Sequence, residues 1–369
     1  MIIRILITTA AMAGISGLLS ILLVIAERYL ANYGECKIII NDEKELNVNG
    51  GATLLATLNS QKIFLPSACG GRGTCGYCKC KVTEGVGPLL PTEAPLLNAE
   101  EIENKIRLSC QVKIKQDVKI EIPEELFNIK EFRAEVERII ELTYDIKLLR
   151  LKLVEPKQIS FKAGQYVQLY TNPYNGVKDS ISRAYSIASP IYEKNYVELM
   201  VRLIPEGFCT TWVHQYLNEK EIVKFIGPMG DFYLRDGKGE IIMVAGGSGM
   251  APMVSILEDI ANRKIERKVT YFFGAVTKKD LFYTKEMANL QKRIENFKFV
   301  PALSQPAAED NWQGETGLIT ETLEKYLKDK DTSKIQGYLC GSPGMVNACI
   351  DVFKKYGVNS DNIFFDPFA

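Results

Sequence analysis

A chain of 369 residues, 46% hydrophobic and 24% charged, is long enough for two or three domains and too apolar for extended disorder. Lysine plus arginine and aspartate plus glutamate number 45 each, so there is no net charge and no basic block, which argues against a nucleic-acid partner. The one histidine, His214, argues against His-built zinc sites and Ser-His-Asp hydrolysis; nine cysteines, an odd number, are too few for a disulfide scaffold and fit a reducing compartment.

The predicted elements begin with a membrane segment. Residues 5–26 run for 22 residues without a charge, between Arg4 and Glu27-Arg28. At 1.5 Å rise per residue, a helix of that length crosses a ~30 Å hydrocarbon core. A secretory signal has a shorter apolar run of ~7–15 residues and a small-residue cleavage site, whereas Glu27-Arg28-Tyr29-Leu30 follows here. An uncleaved anchor is therefore expected ahead of a signal peptide or a buried core helix. Gly14, Ser16, Gly17 and Ser20 form a small-residue face of the kind that lets membrane helices approach one another. One arginine on each flank leaves the orientation open.

Past the anchor, strands are expected at 37–40, 79–82 and 113–122, with a short helix near 53–60 and a Gly/Cys-rich loop. The charged stretch 123–131 reads as a linker. Alternating β-branched runs follow at 132–140, 146–154, 166–170, 183–188, 196–204 and 222–225, some separated by turn signals such as Asn172-Pro173 and Asn175-Gly176. That spacing predicts a small antiparallel barrel. From about 237, strands at 241–245, 269–274, 297–304, 336–340 and 362–365 alternate with helices at 250–263, 284–292, 320–328 and 345–356. Such alternation predicts a parallel sheet with right-handed crossovers.

The loop at residues 69–78 reads CGGRGTCGYC, which spaces Cys69, Cys75 and Cys78 as C-x5-C-x2-C, and Cys110 follows far downstream. A 2Fe-2S cluster needs four thiolates, and plant-type ferredoxins take three from one loop and a fourth from elsewhere. The glycines permit left-handed backbone and a close wrap that points N–H groups at sulfur. Structural zinc usually shows a pair of closely spaced cysteines at both ends of its site; the second end here offers one. Zinc and plain buried thiols are the alternatives. Cys80, two residues past Cys78 on the same strand face, reads first as a small core residue, and Cys36, Cys209 and Cys349 as buried thiols.

With the anchor, this loop, LLPTE at 89–93 and LSCQV at 108–112, the sequence resembles the NADH dehydrogenase subunit (the F subunit) of the Na+-translocating NADH:quinone reductase. The likeness continues through RAYSIAS (183–189), GGSGMAPM (246–253), EDNW (309–312) and CGSPGM (340–345), in the family's order and over essentially the whole chain. The wider group is the ferredoxin-reductase-type flavoproteins with an N-terminal ferredoxin domain, soluble oxygenase reductases among them. Two departures stand out. Only residues 171–182 precede the RAYS motif, where the family is longer, and the chain finishes Asp366-Pro367-Phe368-Ala369 where the family resembles DDFGG.

The resemblance implies FAD and NADH beside the cluster. Arg183-Ala184-Tyr185-Ser186 matches the R-x-Y-S flavin motif: a tyrosine for the isoalloxazine, an arginine for the pyrophosphate and a serine near flavin N5. Gly207 and Thr210 resemble the start of a pyrophosphate-binding helix. Gly246, Gly247, Ser248, Gly249 and Met250 form a Gly-rich turn between a strand and a helix, the context a nucleotide loop requires, and Pro252 suits a first helical turn. Gly274, Cys340 and Gly341 follow strands at the carboxyl edge where α/β sheets bind ligands. In the family likeness Cys340 sits near nicotinamide C4, and Phe368 shields the flavin until nicotinamide displaces it; a packed C-terminal aromatic is the plainer reading of Phe368. Residues 276–280 leave NADH against NADPH ambiguous, and NADH follows by likeness.

The expected fold class is multidomain, α+β and α/β: an anchor (1–33), a β-grasp-like 2Fe-2S ferredoxin domain (34–127), an antiparallel flavin barrel (128–236) and an α/β nicotinamide domain (237–369). The expected function is a membrane-anchored NADH dehydrogenase subunit, with Ser186, Cys340 and Phe368 at the chemistry. NADH and membrane subunits of a redox complex are its expected partners. Reduced clusters and thiols need the reducing side of the inner membrane, which places the catalytic domains in the cytoplasm. The rivals are an oxygenase reductase component and a non-catalytic electron relay.

Overall fold

The computed structural model describes residues 7, 9, 12–22 and 33–368. The expected membrane span lies partly outside them. Residues 12–22 are helical, and their large apolar side chains, from Met12 through Ile15, Leu18, Leu19 and Ile21 to Leu22, are all exposed. Among the described residues, no helix is long and apolar enough to cross a membrane.

Two compact units follow. Gly71–Asn128, with the residues preceding Ala68, form the first; Ile129 onward, with Ala68–Gly70, form the second.

The first unit is a mixed five-stranded sheet in the order β2-β1-β5-β3-β4, with β1 Glu35–Ile40, β2 Lys44–Asn49, β3 Lys79–Glu84, β4 Ile106–Leu108 and β5 Val118–Glu121. Only β1 and β5 run parallel. The helix Leu54–Ser60 is capped by Thr53, whose Oγ1 accepts the Ala56 N–H, and it buries Leu54, Leu55 and Leu58 in the same core as Ile38, Ile40 and Ile120. This is the β-grasp-like arrangement of one helix on a mixed sheet. Two local expectations shift. The long strand expected at 113–122 shortens to β5, because Lys113 is held in an isolated bridge with Thr53. In β2 the alternation is only two apolar residues long, Leu46 and Val48, and Val48 is its one buried residue.

The second unit opens with a six-stranded antiparallel sheet in the order β10-β7-β6-β11-β8-β9. Its strands are β6 Lys130–Glu141, β7 Ile146–Glu155, β8 Tyr166–Tyr170, β9 Ser182–Ser186, β10 Tyr196–Arg202 and β11 Ile222–Met229. A bridge between Ile187 and Leu199 joins the two edges, so the sheet nearly closes into a barrel around Trp212, Phe225, Val197 and Leu199.

A parallel sheet follows in the order β15-β14-β13-β12-β16-β17, with β12 Ile241–Gly246, β13 Val269–Ala275, β14 Phe297–Leu303, β15 Glu315–Thr316, β16 Gln336–Gly341 and β17 Ile363–Pro367. Side chains alternate across it. Ile241, Met243 and Ala245 face the helices Met250–Arg263 and Thr284–Arg293, whereas Ile242 and Val244 face Ile319–Leu327 and Pro343–Lys355. Both faces are covered, which is why these strands read as unbroken apolar runs. Strand order reverses between β12 and β16, and the crevice at their carboxyl ends is where such folds take ligands.

Candidate active site and cofactor sites

The cysteine loop is built on left-handed glycines. Gly70, Gly71, Gly73 and Gly76 adopt φ of +69°, +87°, +76° and +71°, a region that costs other L-residues roughly 1–2 kcal/mol each. The Gly71 N–H donates to Ser67 Oγ at 2.8 Å, closing the loop's base. A Cβ on Gly73 would stand 2.3 Å from Gln111 Nε2, so the loop lies directly against the residue after Cys110. Cys78 and Cys110 are buried, and Cys69 and Cys75 are partly exposed. A hydrogen bond with Cys110, then burial, pushes the Cys78 thiol up, which marks the two sulfurs as neighbours. Among the described residues, no three Cys, His, Asp or Glu side chains are gathered into a metal-holding group. The donor set still suits an iron–sulfur cluster: thiols without disulfides, a left-handed glycine wrap and a remote fourth cysteine brought to the third. Cys80 lies in the core, its thiol pushed by burial up to about 12.

In the barrel, β9 carries Arg183, Tyr185 and Ser186. Among the described residues the buried Tyr185 hydroxyl has no hydrogen-bond partner, and burial pushes its pKa well up. A phenol left unsatisfied in this way costs free energy unless a bound group meets it. The Arg183 guanidinium spends Nη1 on its neighbour's carbonyl, Ser182 O, at 2.6 Å and keeps further donors for an anion. Those two observations fit a flavin. Thr210 differs from expectation: its hydroxyl donates within its own loop, to Gly207 O at 3.1 Å and Ile204 O at 3.3 Å, and accepts from the Ile204 N–H at 3.2 Å. It shapes the turn rather than offering a hydroxyl. Gly207 is small because a Cβ there would stand 2.5 Å from that oxygen.

At the switch point the Gly-rich turn packs on the end of β16 and the helix that follows it. A Cβ at Gly249 would lie 2.3 Å from Cys340 O, and one at Gly246 would meet Met345 Sδ at 3.2 Å. Gly247 has φ of +55°, and Ser248 is nearly buried. Two of the expected nucleotide residues serve packing: Met250 is in the core with its sulfur accepting from Tyr271 Oη at 3.2 Å, and Gly274 admits Ile319, whose Cβ stands 3.0 Å from where its own would be. Cys340 is fully buried, which raises its thiol pKa. Phe368 is half-buried against the core, its N–H donating to Gly341 O at 2.8 Å.

Sequence reasoning missed Asp366. It pairs in register with Cys340 across β16 and β17 and lies near Ser186 of the barrel. Burial raises its carboxyl to about 6, opposed in part by the nearby Ser186 hydroxyl. Ser186, Cys340 and Asp366 thus meet at the carboxyl edge of the sheet. An acid within a short apolar run of the final strand gave no pattern to read.

Three family descriptions match the chain: the 2Fe-2S iron-sulfur cluster binding domain over residues 38–115, the oxidoreductase FAD-binding domain over 133–233 and the oxidoreductase NAD-binding domain over 243–351. Fold and sites together define an NADH-dependent oxidoreductase that carries FAD and a 2Fe-2S cluster. Among solved structures, the Amycolatopsis cytochrome P450 reductase GcoB superposes with a TM-score of 0.73 at 27% identity, covering 90% of this chain and 98% of its own. The ferredoxin reductase of carbazole 1,9a-dioxygenase shares the fold, with a TM-score of 0.69 at 24% identity and coverage of 91% and 98%. Among curated relatives, the F subunit of the Na(+)-translocating NADH-quinone reductase of Marinomonas sp. (strain MWYL1) is 37% identical over 382 residues, 93% of each chain. Its counterpart in Pseudomonas aeruginosa (strain PAO1) is 37% identical over 96% of this chain and 95% of its own. The chain belongs to this family of Na(+)-translocating NADH-quinone reductase F subunits.

Proposed function

We propose that this NADH-oxidising subunit works as follows: NADH binds at the β12–β16 switch point, Ser186, Cys340 and Asp366 organise hydride transfer to FAD, and Cys69, Cys75, Cys78 and Cys110 hold the cluster that passes electrons to membrane subunits. The meeting of Ser186 with Asp366, in register with Cys340, carries this reading. Bound FAD and the cluster supply the conversion of a two-electron hydride donor into single electrons. The protein's part is placement. Asp366 stands close to the Ser186 hydroxyl, Tyr185 offers a partly exposed ring whose buried phenol is unspent, and Arg183 would meet the pyrophosphate. Gly246 and Gly249 hold the turn close against β16 and the helix after it, and buried Cys340 would lie behind the nicotinamide end. NADH is favoured over NADPH because Lys278 Nζ already donates to Asp310 O at 3.1 Å, and Asp280 adds negative charge beside it.

Stopped-flow mixing with NADH tests the whole reading. Flavin absorbance should bleach first and the cluster's should follow; absence of any bleaching would leave the non-catalytic relay standing.

The anchor is part of the proposal. Residues 12–22 present apolar side chains on every side, and Ser20 Oγ is satisfied within the helix by Ser16 O at 2.8 Å. A helix apolar all round belongs in a core or a bilayer. The extended span 5–26 would fix the chain to the inner membrane with its catalytic domains in the cytoplasm. Deleting residues 1–33 should yield a detergent-free protein that NADH reduces at the native rate, with electron delivery to membranes lost. Failure of flavin reduction itself in that truncation would show that the segment does more than locate.

Phe368 is proposed to cover the flavin until nicotinamide displaces it, since reacting atoms must come within ~3–3.5 Å. Phe368→Ala should tighten nicotinamide binding several-fold and narrow the NADH/NADPH gap, with FAD content unchanged. If the ring is only packing, the same variant lowers the melting temperature and leaves coenzyme preference alone. Steady-state kcat/KM for both coenzymes, measured beside thermal unfolding, separates the two.

A further inference from the structure

The motifs at 89–93 and 107–112 meet in one buried ion pair. Glu93 is 0% exposed and Arg107 7%. The guanidinium donates through Nε to both Glu93 oxygens at 3.1 Å and through Nη2 to Oε2 at 2.5 Å. Nη1 also reaches Gly87 O at 2.8 Å, and Nη2 reaches Pro88 O at 3.2 Å. The carboxylate in turn accepts the Leu108 N–H at 2.9 Å and the Leu90 N–H at 3.1 Å. Arg107 is thereby bound at both edges of its planar fork, and both carboxylate oxygens are used.

Such a pair is a poor way to gain stability. Desolvating two charges roughly cancels their attraction, and well-packed apolar residues of similar volume often do as well or better. What the pair does achieve is position. It ties the 87–93 loop to β4 at Leu108, two residues before Cys110. The next residue, Ser109, donates its N–H to Cys78 O at 2.8 Å, and the β3–β4 ladder sets Lys79 opposite Leu108 and Cys80 opposite Arg107. Thr92, beside Glu93, donates from Oγ1 to Gln111 Oε1 at 3.1 Å, so the same loop also holds the residue after Cys110. The fourth thiolate is bracketed on both sides by contacts that begin at residues 92 and 93.

We infer that Glu93 and Arg107 form the positioning element for the fourth cluster ligand, fixing the Leu108–Gln111 backbone so that Cys110 stands beside Cys78. They touch neither cluster nor substrate; they act through Leu108 and Ser109. The inference rests on the cluster ligands proposed above.

The test uses the full-length, FAD-loaded, cluster-loaded protein in three variants. Arg107→Lys keeps the charge but gives up the planar fork. Glu93→Gln keeps the size and the acceptor for the Leu108 N–H. Ile120→Val loosens the same core away from the motif. Iron release to a chelator is followed well below the melting temperature, with EPR of the dithionite-reduced protein and FAD content alongside. Arg107→Lys and Glu93→Gln should release iron at least tenfold faster and shift the reduced cluster's g-values, with FAD unchanged. Ile120→Val should lower the melting temperature and do neither. Native release and native g-values in Glu93→Gln would overturn the inference, as would a speed-up that follows the melting temperature equally in Ile120→Val. Where Arg107→Lys does not fold, Glu93→Gln decides. These outcomes are separate from the ligand assignment, which fails only if removing the Cys110 thiol leaves the cluster intact.

Discussion

Replacing Cys110 with alanine is expected to abolish the cluster's absorbance and EPR signals while FAD stays bound at native stoichiometry. Three loop thiolates would remain, but the fourth ligand comes from a separate segment that the loop cannot replace. Cys80 is no ready substitute, because it is the residue paired with Arg107 in the β3–β4 ladder, two positions beyond Cys78. NADH should still bleach the flavin at close to the native rate, since that chemistry lies in the second unit. Onward transfer to a one-electron acceptor that draws from the cluster should fall to background. A cluster spectrum that survives at full strength would assign the fourth ligand elsewhere.

The second large effect is expected at Asp366, in both rate and stability. Its carboxyl is raised to about 6, chiefly by burial, against roughly 3.9 in an unfolded chain. Between those two values the folded state binds more protons than the unfolded one, so stability falls as pH rises through that window and stays lower above it. A shift of about two units corresponds to a cost on the order of 2–3 kcal/mol at neutral pH. Asp366→Asn should remove that cost, raising the melting temperature at pH 7–8 and flattening its slope between pH 4 and 6. It should also slow NADH-driven flavin reduction by roughly ten- to a hundredfold, the penalty of a mis-set reacting group, because the Ser186 hydroxyl loses the carboxylate beside it. A more stable protein with slower hydride transfer is the signature of a site residue. An unchanged rate would make Asp366 a partly buried acid without a task.

Much of this was legible because burial on two faces leaves a plain trace. The helix Met250–Arg263 and the strand Tyr166–Tyr170 fall where their patterns placed them, and β12 differs by one residue. The cysteine loop was legible because few structures need four glycines among ten residues. Other parts were not. Strand β2 carries one buried side chain, and the two-residue β15 is too short for any period to appear. Asp366 and the pair Glu93–Arg107 draw their meaning from partners tens to hundreds of positions away, which no local spacing encodes. Thr210, Met250 and Gly274 carry local contacts that the motif alone does not reveal. They sit inside ligand motifs, yet their atoms are spent on the turn and the core that hold the motif in shape.

Strand β17 is the edge of the parallel sheet, held by a ladder to β16 alone. Edge strands are the first to fray, opening locally at a fraction of the free energy that global unfolding needs. The carboxyl beside Ser186 therefore rides on the edge of the sheet, while the thiol opposite it belongs to β16, a strand paired on both sides. Each transient opening would separate the pair and let solvent reach a cysteine that is otherwise sealed. Amide exchange along residues 363–366 thus doubles as a clock for how often the hydride site comes apart, and coenzyme occupancy should slow that clock.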